Sequence, residues 1–94
     1  MDIKYGYFVW TFEKEKINIE KHGVSFVEAV EVFRDKKRKV IEDEKHSKDE
    51  ERFFCIGMVN NRLSTVRFTY RSDKVRIIGA GIWRMGGKYY EEEL

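Results

Sequence analysis

The chain has no proline, one cysteine and two histidines among its 94 residues. A single thiol, Cys55, has no partner for an internal disulfide, which fits a reducing cytoplasm. One cysteine and two histidines without ligand spacing argue against a structural zinc, and nothing else in the sequence calls for a cofactor. No apolar run approaches the ~20 residues a membrane helix needs. Asp2, Lys4, Glu13, Lys14 and Glu15 crowd the place where a signal peptide would carry its apolar stretch. The expectation is a cytoplasmic protein with no membrane contact. There is no repeat and no low-complexity linker, so residues 1–94 are expected to form one domain with one modest core. A large excess of one charge is also missing. The net charge is only +2 although 38% of the residues are charged, so the placement of the charges matters more than their sum.

Hydrophobic residues make up 41% of the chain and aromatics 15%, enough for a packed interior. Tyr7–Trp10 reads as a short strand. Thr11 can cap a helix from about Phe12 to Lys21, ended by Gly23. Ser25 with Glu28 three residues on is a capping box. The helix behind it repeats Phe26, Ala29, Val30 and Phe33 at helical spacing and is expected to end near Asp35–Lys37. Four extended segments follow: Lys39–Ile41, Arg52–Val59, Arg62–Arg71 and Lys74–Ala80. Asn60-Asn61 and Ser72-Asp73 are two-residue turns between the last three. A short helix or ordered arm is expected from Arg84 to Leu94. The predicted fold is α+β: a short N-terminal strand and two helices packed on an antiparallel sheet of three to four strands.

Two-residue turns fix register, and register fixes faces. Arg71 then pairs with Lys74, Thr69 with Arg76, Arg67 with Ile78, Phe54 with Arg67, and Arg52 with Thr69. Arg52, Arg67, Thr69, Arg71, Lys74 and Arg76 fall on one face. Phe53, Cys55, Val66, Phe68, Tyr70, Val75 and Ile77 fall on the other, which the helices can cover. Four arginines and a lysine on one sheet face repel unless anions separate them. Phosphates suit guanidinium geometry, and carboxylates from Glu50, Asp73 or the acidic tail are the alternative.

Two histidines stand in different settings. His22 closes the first helix, where an imidazolium favours the helix dipole. His46 lies in a polar loop, Asp43–Lys48, open either to plain solvation or to general acid–base work beside the arginines. Lys21 is a candidate phosphate donor or a helix cap. Trp83, Tyr89 and Tyr90, interleaved with Arg84 and Lys88, can stack on unpaired bases and hold phosphates, or dock on the core. Cys55 points into the expected core and has no base beside it, which makes it a poor nucleophile.

Lys21-His22-Gly23-Val24-Ser25-Phe26, followed by His46 and Glu50-Glu51-Arg52, resembles the BrnT family of bacterial toxins. Trp10, Asn18, Ala29, Phe33, Val40-Ile41-Glu42-Asp43, Gly57, Thr69 and Arg76-Ile77-Ile78 extend the resemblance over nearly the whole chain. It implies a RelE-like fold and a type II toxin–antitoxin system. It also implies RNA cleavage, and a DNA-binding antitoxin through which alone operator DNA is bound. One departure stands out. Where many family members read Ser-Ala-Arg and then a basic helix, this chain reads Gly79-Ala80-Gly81.

On these grounds the chain is expected to be a metal-independent endoribonuclease that inhibits translation and growth. Catalysis falls to His46, Arg52, Arg67, Arg76 and Tyr90. Substrate binding falls to Lys21, Arg71, Lys74, Arg84, Lys88 and Trp83. The competing reading is a non-catalytic module of the same fold whose basic face docks an acidic partner or nucleic acid.

Overall fold

The computed structural model describes residues 1–83 and 86–91. Its elements are β1 (Asp2–Tyr5), β2 (Phe8–Thr11), α1 (Phe12–His22), α2 (Phe26–Val32), β3 (Lys39–Glu42), β4 (Arg52–Val59), β5 (Arg62–Arg71), β6 (Lys74–Gly81) and α3 (Gly86–Glu91). Thr11 Oγ1 accepts from the Lys14 amide at 3.2 Å and opens α1. Gly23, at φ 68°, closes it by donating to the Ile19 carbonyl. The Ser25–Glu28 capping box is present at the start of α2. That helix stops earlier than its apolar spacing suggests. Just beyond its end, the Asp35 carboxylate accepts from the amides of Lys37 (2.9 Å) and Met58 (2.7 Å).

The strands form one six-stranded mixed sheet in the order β1-β2-β6-β5-β4-β3. This corrects the expected antiparallel sheet of three to four strands. The polar segment Asp2–Tyr5 forms a hairpin with β2, and β2 then lies parallel to β6 through Phe8–Val75 and Val9–Arg76. The connection between the two strands runs through both helices and β3, β4 and β5, so no local pattern signals the parallel pairing.

Both two-residue turns occur. Asn60 and Asn61 take φ 50° and 65°, and Ser72 takes 56°. The pairs Arg52–Thr69, Phe54–Arg67, Thr69–Arg76 and Arg71–Lys74 form as expected. Arg67 does not pair with Ile78. A bulge slides it onto Gly79, while Phe68 faces Ile77. The reason lies in the core: Ile77 and Ala80 are both buried, and residues three apart share a strand face only across an extra residue.

The core joins Trp10, Phe26, Val30, Val32, Cys55, Val66, Phe68 and Ile77. Trp10 meets Phe26 edge-on at 5.8 Å, and Phe33 meets Phe68 edge-on at 5.0 Å. Tyr70 lies on this face, as its register requires, but is 55% exposed. It sits beside the β5–β6 turn, with the rings of Phe53 and Phe68 against its own.

α1 joins the body differently from α2. Phe12, Ile17 and Ile19 are all exposed, and Asn18 is its one buried residue. Asn18 Nδ2 donates to the Val24 carbonyl at 2.9 Å, and its Oδ1 accepts from the Ala80 amide at 3.0 Å. Glu15 accepts from the Trp10 indole and from the Phe26 amide. Beyond β6, Trp83 stacks on both Phe54 and Tyr89. α3 lies over Ile56, Leu63 and Thr65, on the sheet face away from α2. The Tyr90 hydroxyl donates to Asp35 at 2.6 Å and ties α3 to the end of α2.

Replacing Asn18 by alanine strands the Ala80 amide and the Val24 carbonyl, so Asn18→Ala should lower unfolding stability by about 2–3 kcal/mol. An unchanged urea midpoint would show that α1 is held some other way. Tyr90→Phe should cost about 1 kcal/mol near neutral pH. The bonds from Tyr90 and from the Met58 amide hold the Asp35 carboxyl below its ordinary range, and the same tie pushes the Tyr90 hydroxyl up to about 12. The contribution is therefore complete between the two ordinary values, 3.8 and 10.0. It fades as pH falls through the lowered Asp35 value or rises through about 12. Denaturant curves of wild type and Tyr90→Phe should accordingly converge in acid.

Candidate active site on the arginine face

The ladder Arg52–Thr69–Arg76 runs across β4, β5 and β6, with Arg67 and Arg71 one same-face position away on either side of Thr69. Thr69 is 1% exposed and donates to the Glu51 carbonyl at 2.6 Å, so it fills the space between Arg52 and Arg76 without screening them. Two of the arginines carry a carboxylate. Arg76 holds Asp2 through both terminal nitrogens, at 3.3 and 2.8 Å. Arg71 holds Glu50 through Nε and Nη2, at 3.1 and 3.0 Å. The facing guanidinium holds each carboxyl below its ordinary range, Asp2 by Arg76 and Glu50 by Arg71. The Nε atoms of Arg52 and Arg76 are buried and have no hydrogen-bond partner among the described residues. A buried donor without an acceptor is costly unless a ligand supplies one.

His46 stands at the edge of this face. It closes a single 3-10 turn, Glu44–His46, whose geometry returns its ring over Asp43. The Nδ1 atom lies 2.9 Å from Asp43 Oδ2, and Asp43 is 6% exposed whereas His46 is open to solvent. Donation from Nδ1 to the carboxylate leaves Nε2 as the atom facing outward. Ser47 anchors the loop by donating to the Asp43 carbonyl at 2.6 Å and accepting from the Arg52 amide at 2.9 Å. The result is a cleft of about 630 Å³ lined by Lys45, His46, Lys48, Asp49, Glu50, Arg52 and Arg71.

The structure thus brings His46, Arg52 and Arg71 into one cleft, with Arg76 next to Arg52 across Thr69. Lys74 lies on the same face but leans to the β1–β2 turn, its Nζ 3.4 Å from the Gly6 carbonyl and 5.7 Å from the Tyr7 ring centre. Arg67 points away from the His46 cleft, toward α1 and Lys21. Trp83 stands beside the arginine face through Phe54, but both of its stacking partners come from this chain. Lys88 is exposed on α3. Tyr90 is remote from His46, its hydroxyl committed to Asp35. Arg84 lies outside the described residues. Cys55 is fully buried, and burial pushes its thiol up to about 12.

Sequence inspection passed over Asp43 and Asp2 as site residues. The spacing of Asp43 and His46 on one turn was a signal that could have found the first. Asp2 had none, because its bond to Arg76 spans 74 residues. Among the described residues, no group of three or more His, Cys, Asp or Glu side chains is arranged to hold a metal ion. No helix there is long and apolar enough to cross a membrane.

Fold and site together define a small α+β protein with a cationic sheet face flanked by a carboxylate-held histidine. A family model described as the ribonuclease toxin BrnT, of type II toxin–antitoxin systems, matches residues 10–85. The chain belongs to that family, whose type II character implies an antitoxin partner. No curated protein matches the sequence.

Exchanging Asp43 for asparagine removes the carboxylate that orients His46 while leaving a polar group of similar size. Asp43→Asn should lower any His46-dependent activity by at least tenfold without changing substrate affinity. Equal loss of both would mean that the loop, and not the histidine, had been disturbed.

Proposed function

We propose that this chain is a RelE-like, metal-independent endoribonuclease, the toxin of a type II pair, which cleaves RNA in the cytoplasm and thereby arrests translation and growth. One observation carries this reading: His46, backed by the buried Asp43, opens into the same cleft as Arg52 and Arg71. Cleavage without a metal uses the ribose 2′-hydroxyl as nucleophile on the adjacent phosphorus. The 2′-oxygen forms a bond to phosphorus as the 5′-oxygen leaves, giving a cyclic phosphate and a free 5′-hydroxyl. The chemistry needs a group that moves a proton at one of these oxygens, and fixed cations around the phosphorane.

His46 Nε2 takes the first role. Arg52 and Arg76 take the second, because they stand side by side across Thr69 and Arg52 lines the cleft into which His46 opens. Arg71 binds the flanking phosphate, with Glu50 holding its guanidinium flat. Arg67 and Lys21 extend the cationic surface, and Lys74 and Lys88 add exposed charge at its margins. Tyr90 takes no part in proton transfer on this reading, since its hydroxyl serves Asp35. The antitoxin, a DNA-binding protein, would carry the pair to operator DNA.

The bidentate bonds Arg71–Glu50 and Arg76–Asp2 favour a second reading. They show that this face accepts carboxylates, as a non-catalytic module docking an acidic partner would. Purified protein incubated with RNA in excess chelator separates the two. Cleavage should persist in chelator, fall by roughly 10²–10⁴-fold in His46→Ala, and fall by roughly 10²–10³-fold in Arg76→Ala. Circular dichroism confirms that each variant is folded. Intact RNA with wild-type protein, or full activity in folded Arg76→Ala, would overturn the ribonuclease assignment.

A further inference from the structure

Two sets of basic side chains on and beside this face differ in their partners. Arg71 and Arg76 hold carboxylates from within the chain. Arg67, together with Lys14, Lys21 and His22 of α1, has no side-chain partner among the described residues. These four groups lie together. One hollow of about 260 Å³ is lined by Lys14, Lys21, His22, Arg67, Asn18 and Ile78. An adjoining one of about 180 Å³ shares Asn18, His22 and Arg67 and adds Thr65 and Gly81. Among the described residues, no acidic side chain lines either hollow. The neighbouring cleft toward α2 does contain one, Glu28, so the acid-free side is the side continuous with the arginine face.

The floor of the groove is bare backbone. A Cβ at Gly79 would lie 3.0 Å from Arg67 Nη2, and one at Gly81 would lie 3.3 Å from the Cγ atom of the His22 ring. The bulge at Ile78 turns both glycines to the arginine face, beneath the guanidinium and the imidazole. Any side chain at either position would stand where these two side chains lie.

We infer that this groove is a second phosphodiester-binding subsite, in which Lys14, Lys21, His22 and Arg67 hold the RNA backbone away from the bond being cut. Four donors strung along a groove suit a polyanion better than a single carboxylate. Successive same-face positions on a strand are about 7 Å apart, comparable with the separation of successive phosphates in an extended strand. Arg67 therefore links the groove to the Arg52–Thr69–Arg76 ladder at a matching interval. This subsite rests on the ribonuclease reading for its ligand but not for its geometry.

Fluorescence anisotropy with a labelled 2′-O-methyl oligonucleotide, which binds but has no 2′-hydroxyl to attack, tests it. In Lys14→Ala/Lys21→Ala the slope of log K against log salt should become shallower by about 0.7 for each phosphate no longer neutralised. His22→Ala should weaken binding by roughly three- to tenfold, the worth of one hydrogen bond. Lys36→Ala/Lys37→Ala, which removes the same charge beyond α2, should leave the slope unchanged. Thermal melts verify folding of all three. A wild-type slope in Lys14→Ala/Lys21→Ala overturns the subsite, and so does an equal change of slope in the Lys36/Lys37 control. The same preparations incubated with unmodified RNA keep the two ideas apart. Groove-dependent binding without cleavage retains the subsite and rejects the nuclease, whereas cleavage without groove-dependent binding does the reverse.

Discussion

The placement of α1 depends on one side chain, Asn18. Strand β6 is paired with β2 only at Val75 and Arg76, so its C-terminal half would otherwise present an open edge. Asn18 satisfies the Ala80 amide on that edge and, with its other end, the Val24 carbonyl that begins the link to α2. A helix whose apolar residues Phe12, Ile17 and Ile19 face outward has little hydrophobic attachment, and a buried amide with both ends bonded replaces it. Glu15 repeats the device one turn earlier, bonding to Trp10 and Phe26. These bonds set how close α1 comes to β6. That distance places His22 over Gly81 and Lys21 beside Arg67.

The arginine face raises a problem that the fold answers in two ways. Guanidinium groups on neighbouring strands repel, and exposed ion pairs offset little of this. Asp2 and Glu50 are drawn in from opposite ends of the sheet, one from the edge strand β1 and the other from the loop before β4. Each holds its arginine, Arg76 or Arg71, in a fixed pose through two hydrogen bonds. Arg52 keeps a buried, unpartnered Nε, and Arg67 meets no acid among the described residues. The same face thus combines arginines already oriented by carboxylates with cationic groups left open to an incoming anion. His46 joins it only because Ser47 and Asp43 close the loop that carries it.

Much of this was legible in the chain. Thr11, Gly23 and Ser25 with Glu28 marked the helix ends, because capping is local chemistry. The turns Asn60-Asn61 and Ser72-Asp73 set the register of β4, β5 and β6, and with it the shared face of Arg52, Thr69, Arg71 and Arg76. The partner of Arg67 was missed because a bulge is decided by the core, where Ile77 and Ala80 both need burial. β1 was missed because Asp2–Tyr5 is largely exposed and polar, and joins the sheet only by pairing with β2. The Asp43–His46 pair was within reach of sequence spacing, but only the 3-10 turn brings the two side chains to 2.9 Å.

Sequence by itself determined the α+β class, the helix caps, the β4–β5 register, the β5–β6 register next to its turn and the existence of a cationic face, since each follows from contacts between residues near one another in the chain. Tertiary structure alone decided the parallel β2–β6 pairing and the Asp2–Arg76 bond. It also decided the commitment of Tyr90 to Asp35 and the seating of His22 and Arg67 over two glycines. Those arrangements join residues far apart in sequence, and only closure of the common core brings them within bonding distance.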